Sequence, residues 1–275
     1  MMCSWNEYLS VLPRWLAGET DKLGRDQLQE LRLRIGQPAE LRMKNGSFWL
    51  QRTVQKEDLD FIVNIASRYS PWAASTASFG YLTVPGGHRI GICGECVIKD
   101  GVLSGFRRIT SLNLRVARDF TGVSNGCEGI RGSVLILGPP GSGKTTLLRD
   151  LLRRRSESET VGVVDERGEL FQASFRRGKH MDILTGCAKA EGIEILLRTM
   201  APDSVGVDEI TSEADTAALI RAGWCGVELL ASAHARSSED FRRRPVYRPL
   251  AESGLFDHVV VLRRDKTWYH ERMSL

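Results

Sequence analysis

One stretch of the sequence, residues 134–152, constrains the fold more than any other. The apolar run Val-Leu-Ile-Leu leads into Gly138-Pro139-Pro140-Gly141-Ser142-Gly143-Lys144-Thr145-Thr146, and an apolar helical pattern follows. This is the strand–loop–helix pattern G-x-x-x-x-G-K-[ST], whose glycines let backbone N–H groups surround a phosphate chain. The helix N-terminus adds a partial positive charge. The stretch predicts a nucleotide site formed by residues 138–146.

Two side chains of this segment make ATP with Mg²⁺ the expected ligand pair. Lys144 is placed to reach the β- and γ-phosphates, and the Thr145 hydroxyl to ligate Mg²⁺. A second metal-site residue is expected at Asp208, which follows a short apolar strand over residues 205–207. Glu209 would then orient or deprotonate the attacking water. The alternative is that Asp208 and Glu209 form an acidic cap before a helix.

Two further strand-like runs also end in polar residues. The run 160–164 ends at Asp165 and Glu166, and the run 229–233 ends at His234. Ligands bind at the carboxyl ends of strands in open α/β sheets. Glu166 is therefore predicted to be a second catalytic carboxylate, the alternative being a surface turn. His234 is predicted to sense the γ-phosphate, the alternative being a structural histidine.

Composition places the chain among ordinary soluble proteins. It has 275 residues, 42% hydrophobic and 26% charged, with a net charge of only +4. Arginines cluster at residues 153–155, 176–177 and 242–244, which indicates either solvated surface or a contact with nucleic acid, acidic lipid or an acidic partner. The six scattered cysteines form no disulfide framework, so a reducing cytosol is expected. No apolar run is long enough for a membrane helix.

The pattern changes along the chain predict two domains. Residues 1–118 read as a small α+β domain with a hairpin at Asn45-Gly46, a helix over 57–68 and strands up to residue 118. The first sixteen residues suggest a docking helix, and residues 23–34 a helix running into a strand. Residues 119–131 read as a linker. Residues 132–275 alternate strand and helix, which is typical of a parallel α/β sheet.

These motifs carry a resemblance to known families. The run from Arg198 to Ile210, the segment 217–235 and the acidic end of the 160–164 strand resemble type II and type IV pilus secretion ATPases. A closer resemblance is to the stage III sporulation protein AA family. It rests on four runs, 30–36, 86–91, 111–118 and 165–169, and covers nearly the whole chain. Ser204 and Gly206 depart from the pattern, because they make the strand before Asp208 less apolar than usual.

The resemblance implies a RecA-like P-loop ATPase with a parallel sheet, preceded by the small α+β domain. It implies a homo-hexameric ring at the cytoplasmic face of a mother-cell channel to the forespore, with membrane proteins of that channel as partners. ATP would be the only small-molecule substrate, and nucleic acid is not an expected partner. In such rings an arginine reaches the γ-phosphate from another domain or subunit, and the candidates are Arg107, Arg108, Arg115 and Arg118. The alternative for each of them is surface charge on a strand.

Two other functions remain open from the sequence. One is a P-loop ATPase associated with nucleic acid, which the arginine clusters favour but which lacks an aromatic-rich binding sheet. The other is an assembly module that keeps ATP bound without hydrolysing it. The motor interpretation requires Glu209 to act on water, and the assembly interpretation does not.

Overall fold

A computed structural model describes residues 3–24, 26–68, 80–172 and 174–273 of the chain. The chain divides into two compact units. Unit 1 is Met1–Asp119 with Ala173–Phe175, and unit 2 is Phe120–Gln172 with Arg176–Leu275. None of the helices in the described ranges has both the length and the apolar character needed to cross a bilayer.

Unit 1 is a six-stranded antiparallel sheet with helices packed on it. Its helices are α1 (Trp5–Ser10), α2 (Arg14–Lys22) and α3 (Lys56–Arg68), with a short 3₁₀ turn at Pro85–Gly87. Its strands are β1 (Leu28–Arg34), β2 (Pro38–Met43), β3 (Gly46–Thr53), β4 (Tyr81–Thr83), β5 (Arg89–Lys99) and β6 (Val102–Arg115). The strand order is β3-β2-β1-β6-β5-β4.

Alternation along the strands gives this sheet one apolar face. Leu31 and Leu33 of β1 are fully buried, and they share a core with Tyr8 of α1 and Ile62 of α3. The intervening Arg32 lies on the opposite face, as the period of two requires. The helices of unit 1 therefore cover the leucine face.

The structure confirms the hairpin and the 57–68 helix and corrects two local predictions. The hairpin closes on the pair Met43 and Gly46, and Gly46 takes a positive φ of 138° while Asn45 does not. No helix covers residues 23–27 among those described, because α2 ends at Lys22 and β1 begins at Leu28. The expected single N-terminal helix is two short helices separated at Pro13; Met1 and Met2 lie outside the described residues.

Unit 2 alternates strands and helices. Its strands are β7 (Val134–Leu137), β8 (Val161–Asp165), β9 (Met181–Thr185), β10 (Ser204–Val207), β11 (Glu228–Ala233), β12 (His258–Leu262) and β13 (Trp268–Arg272). Its helices are α4 (Lys144–Arg155), α5 (Lys189–Thr199), α6 (Glu213–Trp224), α7 (Ser238–Arg243) and α8 (Arg248–Glu252). The strand order is β13-β12-β7-β11-β10-β8-β9, parallel except for β13.

This order is what brings the site together. The strand before the P-loop, β7, lies between β11 and β12, and β10 lies between β11 and β8. Because neighbouring strands are parallel and in register, Leu137, Ala233, Val207 and Val164 lie at one edge of the sheet. The polar strand ends predicted from the sequence therefore lie at the same edge of the sheet as the P-loop, in a RecA-like P-loop fold.

The segment at 119–131, expected to be a linker, is largely part of unit 2. Ser124 and Cys127 are buried, and Asp150 of α4 accepts hydrogen bonds from the backbone N–H groups of Gly122 (3.1 Å) and Ser124 (2.8 Å). Burial raises the pKa of the Cys127 thiol. These contacts fix the segment on the P-loop helix.

Candidate functional site

The loop between β7 and α4 has the geometry of a phosphate cradle. Gly141 and Gly143 adopt φ values of 76° and 103°, conformations that other residues rarely take. A Cβ on Gly141 would meet no atom within 4 Å, so the loop is open on that side. The buried Ser142 hydroxyl has no hydrogen-bond partner in the described part of the chain. Left-handed glycines, open space and an unused hydroxyl fit a bound phosphate chain.

The side chain of Lys144 is held by two acceptors. Its ammonium group donates to the carbonyl oxygen of Pro139 at 3.1 Å and lies 3.1 Å from Nδ1 of His234. An ammonium group can only donate hydrogen bonds. Nδ1 of His234 therefore accepts from Lys144, and the ring proton is on Nε2. Burial lowers the pKa of Lys144, and the nearby carboxylates of Asp208 and Glu209 oppose that shift.

The same imidazole connects Lys144 to Glu209. Nε2 of His234 lies 2.8 Å from Oε1 of Glu209. Glu209 adopts a positive φ of 53°, an uncommon conformation for a residue with a Cβ and one that clusters at functional sites. The strand therefore turns sharply after Asp208, and the turn directs the Glu209 side chain toward the histidine.

Asp208 is bonded by hydroxyl groups on both sides. Thr145 donates to its Oδ2 at 2.8 Å and Ser232 donates to its Oδ1 at 2.5 Å. The Ser232 oxygen also accepts the backbone N–H of Glu209 at 2.9 Å. A carboxylate beside a P-loop threonine supplies the hard oxygen donors that Mg²⁺ prefers. The residues predicted to bind the metal, Thr145 and Asp208, are in direct contact.

Ser232 is a site residue that the sequence analysis missed. It is fully buried in β11, two residues before His234, and therefore on the same face of the strand. The run Leu-Leu-Ala-Ser-Ala reads as an apolar strand, so a small serine in it carries little signal. The only sequence signal that could have identified Ser232 is its position two residues before the predicted site residue His234.

The two acidic residues at the end of β8 have separate roles. Asp165 is buried and accepts the backbone N–H groups of Glu169 (2.8 Å), Leu170 (2.9 Å) and Phe171 (2.9 Å). Its carboxylate therefore holds the turn after β8. Burial raises the pKa of Asp165, although these amide donors act in the opposite direction.

Glu166 lines a cavity at the carboxyl end of the strands, as Asp165 does. Asp208, Glu209, Thr211 and Lys189 line the same cavity. The Glu166 carboxylate is paired with the ammonium group of Lys189. Asp165 thus stabilises a turn, and Glu166 lines the same cavity as Glu209, so its catalytic role stays a prediction.

The arginine clusters of unit 2 are engaged in internal contacts. Arg153 donates to Asp150 and to the carbonyl oxygen of Arg176, and Arg155 donates to the carbonyl oxygen of Gly132. In the last cluster, Arg243 pairs with Glu239 and Arg244 with Asp240. Arg153, Arg243 and Arg244 thus pair with carboxylates within unit 2.

The arginines proposed to reach a phosphate lie in unit 1. Arg107 is paired with Glu95 at 2.9 Å, and Arg115 lies 3.7 Å from Glu30. Arg118 donates to the carbonyl oxygen of Leu28. Arg108 is an exposed residue of β6.

Comparisons with solved structures agree with this fold. The ATPase DotB of Legionella pneumophila superposes with a TM-score of 0.59 at 14% identity, over 95% of this chain and 80% of that one. The pilus retraction motor PilT with bound ADP gives a TM-score of 0.63 at 15% identity, over 90% and 76% of the two chains. At these identities the likeness establishes the RecA-like fold.

Sequence comparison is more specific. The chain is 34% identical to stage III sporulation protein AA of Bacillus subtilis (strain 168) over 281 aligned positions, covering 95% of this chain and 92% of that protein. The competence protein ComGA of Streptococcus pneumoniae is 30% identical, over 46% of this chain and 38% of its own length. The family model described as sporulation stage III, protein AA matches residues 6–270. The chain belongs to the sporulation stage III protein AA family.

Proposed function

We propose that this protein binds and hydrolyses ATP as a secretion-type motor that energises or assembles a channel from mother cell to forespore during endospore formation. One observation carries the catalytic part. The phosphate-binding lysine, the imidazole and the glutamate form the chain Lys144–His234–Glu209, with contacts of 3.1 and 2.8 Å. This chain gives the P-loop a residue that can act on water, which a purely structural nucleotide site does not need.

In this proposal the P-loop holds the phosphates and the strand ends act on the outermost one. Backbone amides of residues 138–146, the free Ser142 hydroxyl and Lys144 would bind the phosphate oxygens. Thr145 and Asp208 would hold Mg²⁺, which supplies charge neutralisation and a fixed geometry at the phosphate oxygens.

Glu209 is the proposed general base or water-orienting residue. Its carboxylate is fixed from one side by Nε2 of His234, and its backbone N–H is fixed by Ser232. Glu166 is the proposed second catalytic carboxylate, because it lines the cavity with Glu209. His234 is the proposed sensor, because phosphate binding would compete for the Lys144 ammonium group that it now contacts.

The proposed assembly is a homo-hexamer in the cytoplasm, peripherally attached to membrane proteins of the sporulation channel. Membership of the sporulation family and the likeness in fold to the motor PilT and the ATPase DotB support it. A nucleic-acid-associated ATPase is the alternative. The internally paired arginines of unit 2 weigh against it.

The deciding experiment measures phosphate release by the full chain with Mg-ATP, alone and with single-stranded DNA. We expect hydrolysis that DNA does not stimulate, loss of nucleotide binding in Lys144→Ala, and retained binding without turnover in Glu209→Gln. Solution mass with and without Mg-ATP tests the ring. Unchanged turnover in either variant refutes the role proposed for that residue, and binding without any turnover by the wild type favours the assembly module.

A further inference from the structure

Lys189 occupies a position that is electrostatically unfavourable for a cation. It is the first residue of α5, and its side chain is only 7% exposed. Burial removes the hydration of the ammonium group, and the positive end of the helix dipole lies beside it. A lysine placed at this position must gain compensation from specific neighbours.

Two carboxylates lie close enough to stabilise the ammonium group. Only one of them relies on Lys189 for its own hydrogen bond. The Lys189 ammonium group pairs with Glu166 and lies 3.8 Å from Oδ2 of Asp215. That same oxygen of Asp215 already accepts the backbone N–H groups of Thr211 (2.9 Å) and Ser212 (3.1 Å) in the capping box of α6. In the described part of the chain, the Glu166 carboxylate bonds Lys189 alone.

The surroundings of Glu166 make this contact consequential. Its side chain is 38% exposed, and the cavity that it lines is acidic overall. Besides Glu166, the lining holds two cations, Lys189 and Arg167, and four carboxylates, those of Asp165, Glu169, Asp208 and Glu209. Like charges at one edge repel, so an unrestrained Glu166 would turn toward solvent, where its charge is better hydrated. The buried ammonium group of Lys189 holds it at the cavity instead.

We infer that Lys189 is a positioning residue, which holds the Glu166 carboxylate at the cavity shared with Asp208 and Glu209 and thereby sets the rate of ATP turnover. The inference rests on the proposed function, because it assigns a rate effect through Glu166. It adds a residue on a helix, distant from the P-loop in sequence, to the groups that determine turnover.

The first test compares Lys189→Met and Lys189→Arg in the full chain. Methionine keeps the length of the stem and removes the charge, whereas arginine keeps the charge. We expect kcat to fall about 100-fold in Lys189→Met, the loss typical of a misplaced catalytic group, with part of it recovered in Lys189→Arg. KM for Mg-ATP and the affinity for a fluorescent ATP analogue should stay within about threefold of wild type.

The matched control is Lys179→Met, which removes an exposed lysine from the loop before β9. Its kcat, its KM and its melting temperature should equal those of the wild type. A Lys189→Met protein with a kcat within about twofold of this control overturns the inference.

The second test asks whether Lys189 acts through Glu166. In a Glu166→Gln background, Lys189→Met should cause no further loss of kcat, because the group that it positions is already disabled. A double variant whose loss equals the product of the two single losses overturns the inference. If Lys189→Met does not fold, Lys189→Arg decides in the same way, since its defect should disappear in the Glu166→Gln background.

Failure of this inference is distinguishable from failure of the proposed function. A wild-type protein without turnover overturns both. An active wild type that loses activity in Glu209→Gln, but not in Lys189→Met, leaves the proposed function standing and removes Lys189 from it.

Discussion

The ammonium group of Lys144 and Nδ1 of His234 lie 3.1 Å apart, so the P-loop lysine is bonded to the candidate sensor. The other ring nitrogen contacts Glu209 at 2.8 Å. A phosphate that attracts Lys144 would therefore remove one of the two contacts that orient the imidazole. In the proposed function, a single side chain would therefore couple nucleotide binding to the position of Glu209.

The first prediction concerns His234→Ala. This change releases both Lys144 and Glu209. Phosphate binding would then no longer compete with the histidine, while the proposed general base would lose its orientation. We expect nucleotide affinity to be unchanged or higher and kcat to fall about 10- to 100-fold. Steady-state kinetics and binding of a fluorescent ATP analogue measure the two effects. His180→Ala, at an exposed histidine of unit 2, is the control. A His234→Ala variant that loses nucleotide affinity and keeps its kcat would contradict the coupling.

The second prediction contrasts two buried serines on adjacent strands. Ser232 bonds both Asp208 and the Glu209 backbone N–H, whereas the hydroxyl of Ser204 on β10 has no hydrogen-bond partner among the described residues. Ser232→Ala should destabilise the protein by about 1–3 kcal/mol, because it leaves a backbone donor unsatisfied. Ser204→Ala should be neutral or stabilising. Equal midpoints for both variants in urea unfolding would contradict the assignment of Ser232.

The third prediction concerns Gly206, the glycine that interrupts the strand before Asp208. A Cβ on Gly206 would lie 2.3 Å from Cδ2 of the fully buried Leu152, so α4 packs on β10 too closely for alanine. Gly206→Ala should cost about 1–3 kcal/mol by overpacking. Gly129→Ala is the control, since a Cβ there meets nothing within 4 Å.

The partner of this clash provides an internal check. Leu152→Ala alone should cost about 2–5 kcal/mol through its cavity, but the added methyl group of Gly206→Ala should cost less in that background. Urea unfolding of the two single variants and the double variant measures the coupling. Strictly additive losses would mean that the two residues do not contact.

These results indicate which parts of the site can be predicted from sequence. The P-loop, the 134–137 strand and the polar strand ends are local patterns, and they were predicted correctly as elements. The half-buried edge strand β9 was missed because its alternation is weak. The contacts of Ser232 with Asp208 and Glu209 depend on strand order, which places β11 between β7 and β10. No local periodicity encodes that order.

His88 illustrates a sequence motif whose role is structural. It lies in the Gly-Gly-His-Arg run that supported the family resemblance and is buried in unit 1. Its Nδ1 accepts the backbone N–H of Ala117 at 3.0 Å, and its Nε2 lies 2.9 Å from the carbonyl oxygen of Ser4. The Ala117 contact requires the neutral ring, because a proton on Nδ1 would face the Ala117 donor, whereas Nε2–H donates to Ser4 in either protonation state. The histidine joins the N-terminal segment to the end of β6.

The last prediction is the acid sensitivity of this contact. Burial lowers the pKa of His88; the hydrogen bond to Ser4 and the charge of Glu7 oppose this shift, and Arg118 reinforces it. Below about pH 6.5 the unfolded chain therefore binds a proton that the folded chain does not, and stability falls as the pH decreases, by at most about 1.4 kcal/mol per pH unit.

We expect His88→Gln to be less stable than wild type at pH 8 but to lose less stability between pH 6.5 and 5. Urea unfolding monitored by tryptophan fluorescence over this range measures the difference, with His180→Ala as the control for an exposed histidine. The same slope in wild type and His88→Gln would mean that other groups cause the acid sensitivity.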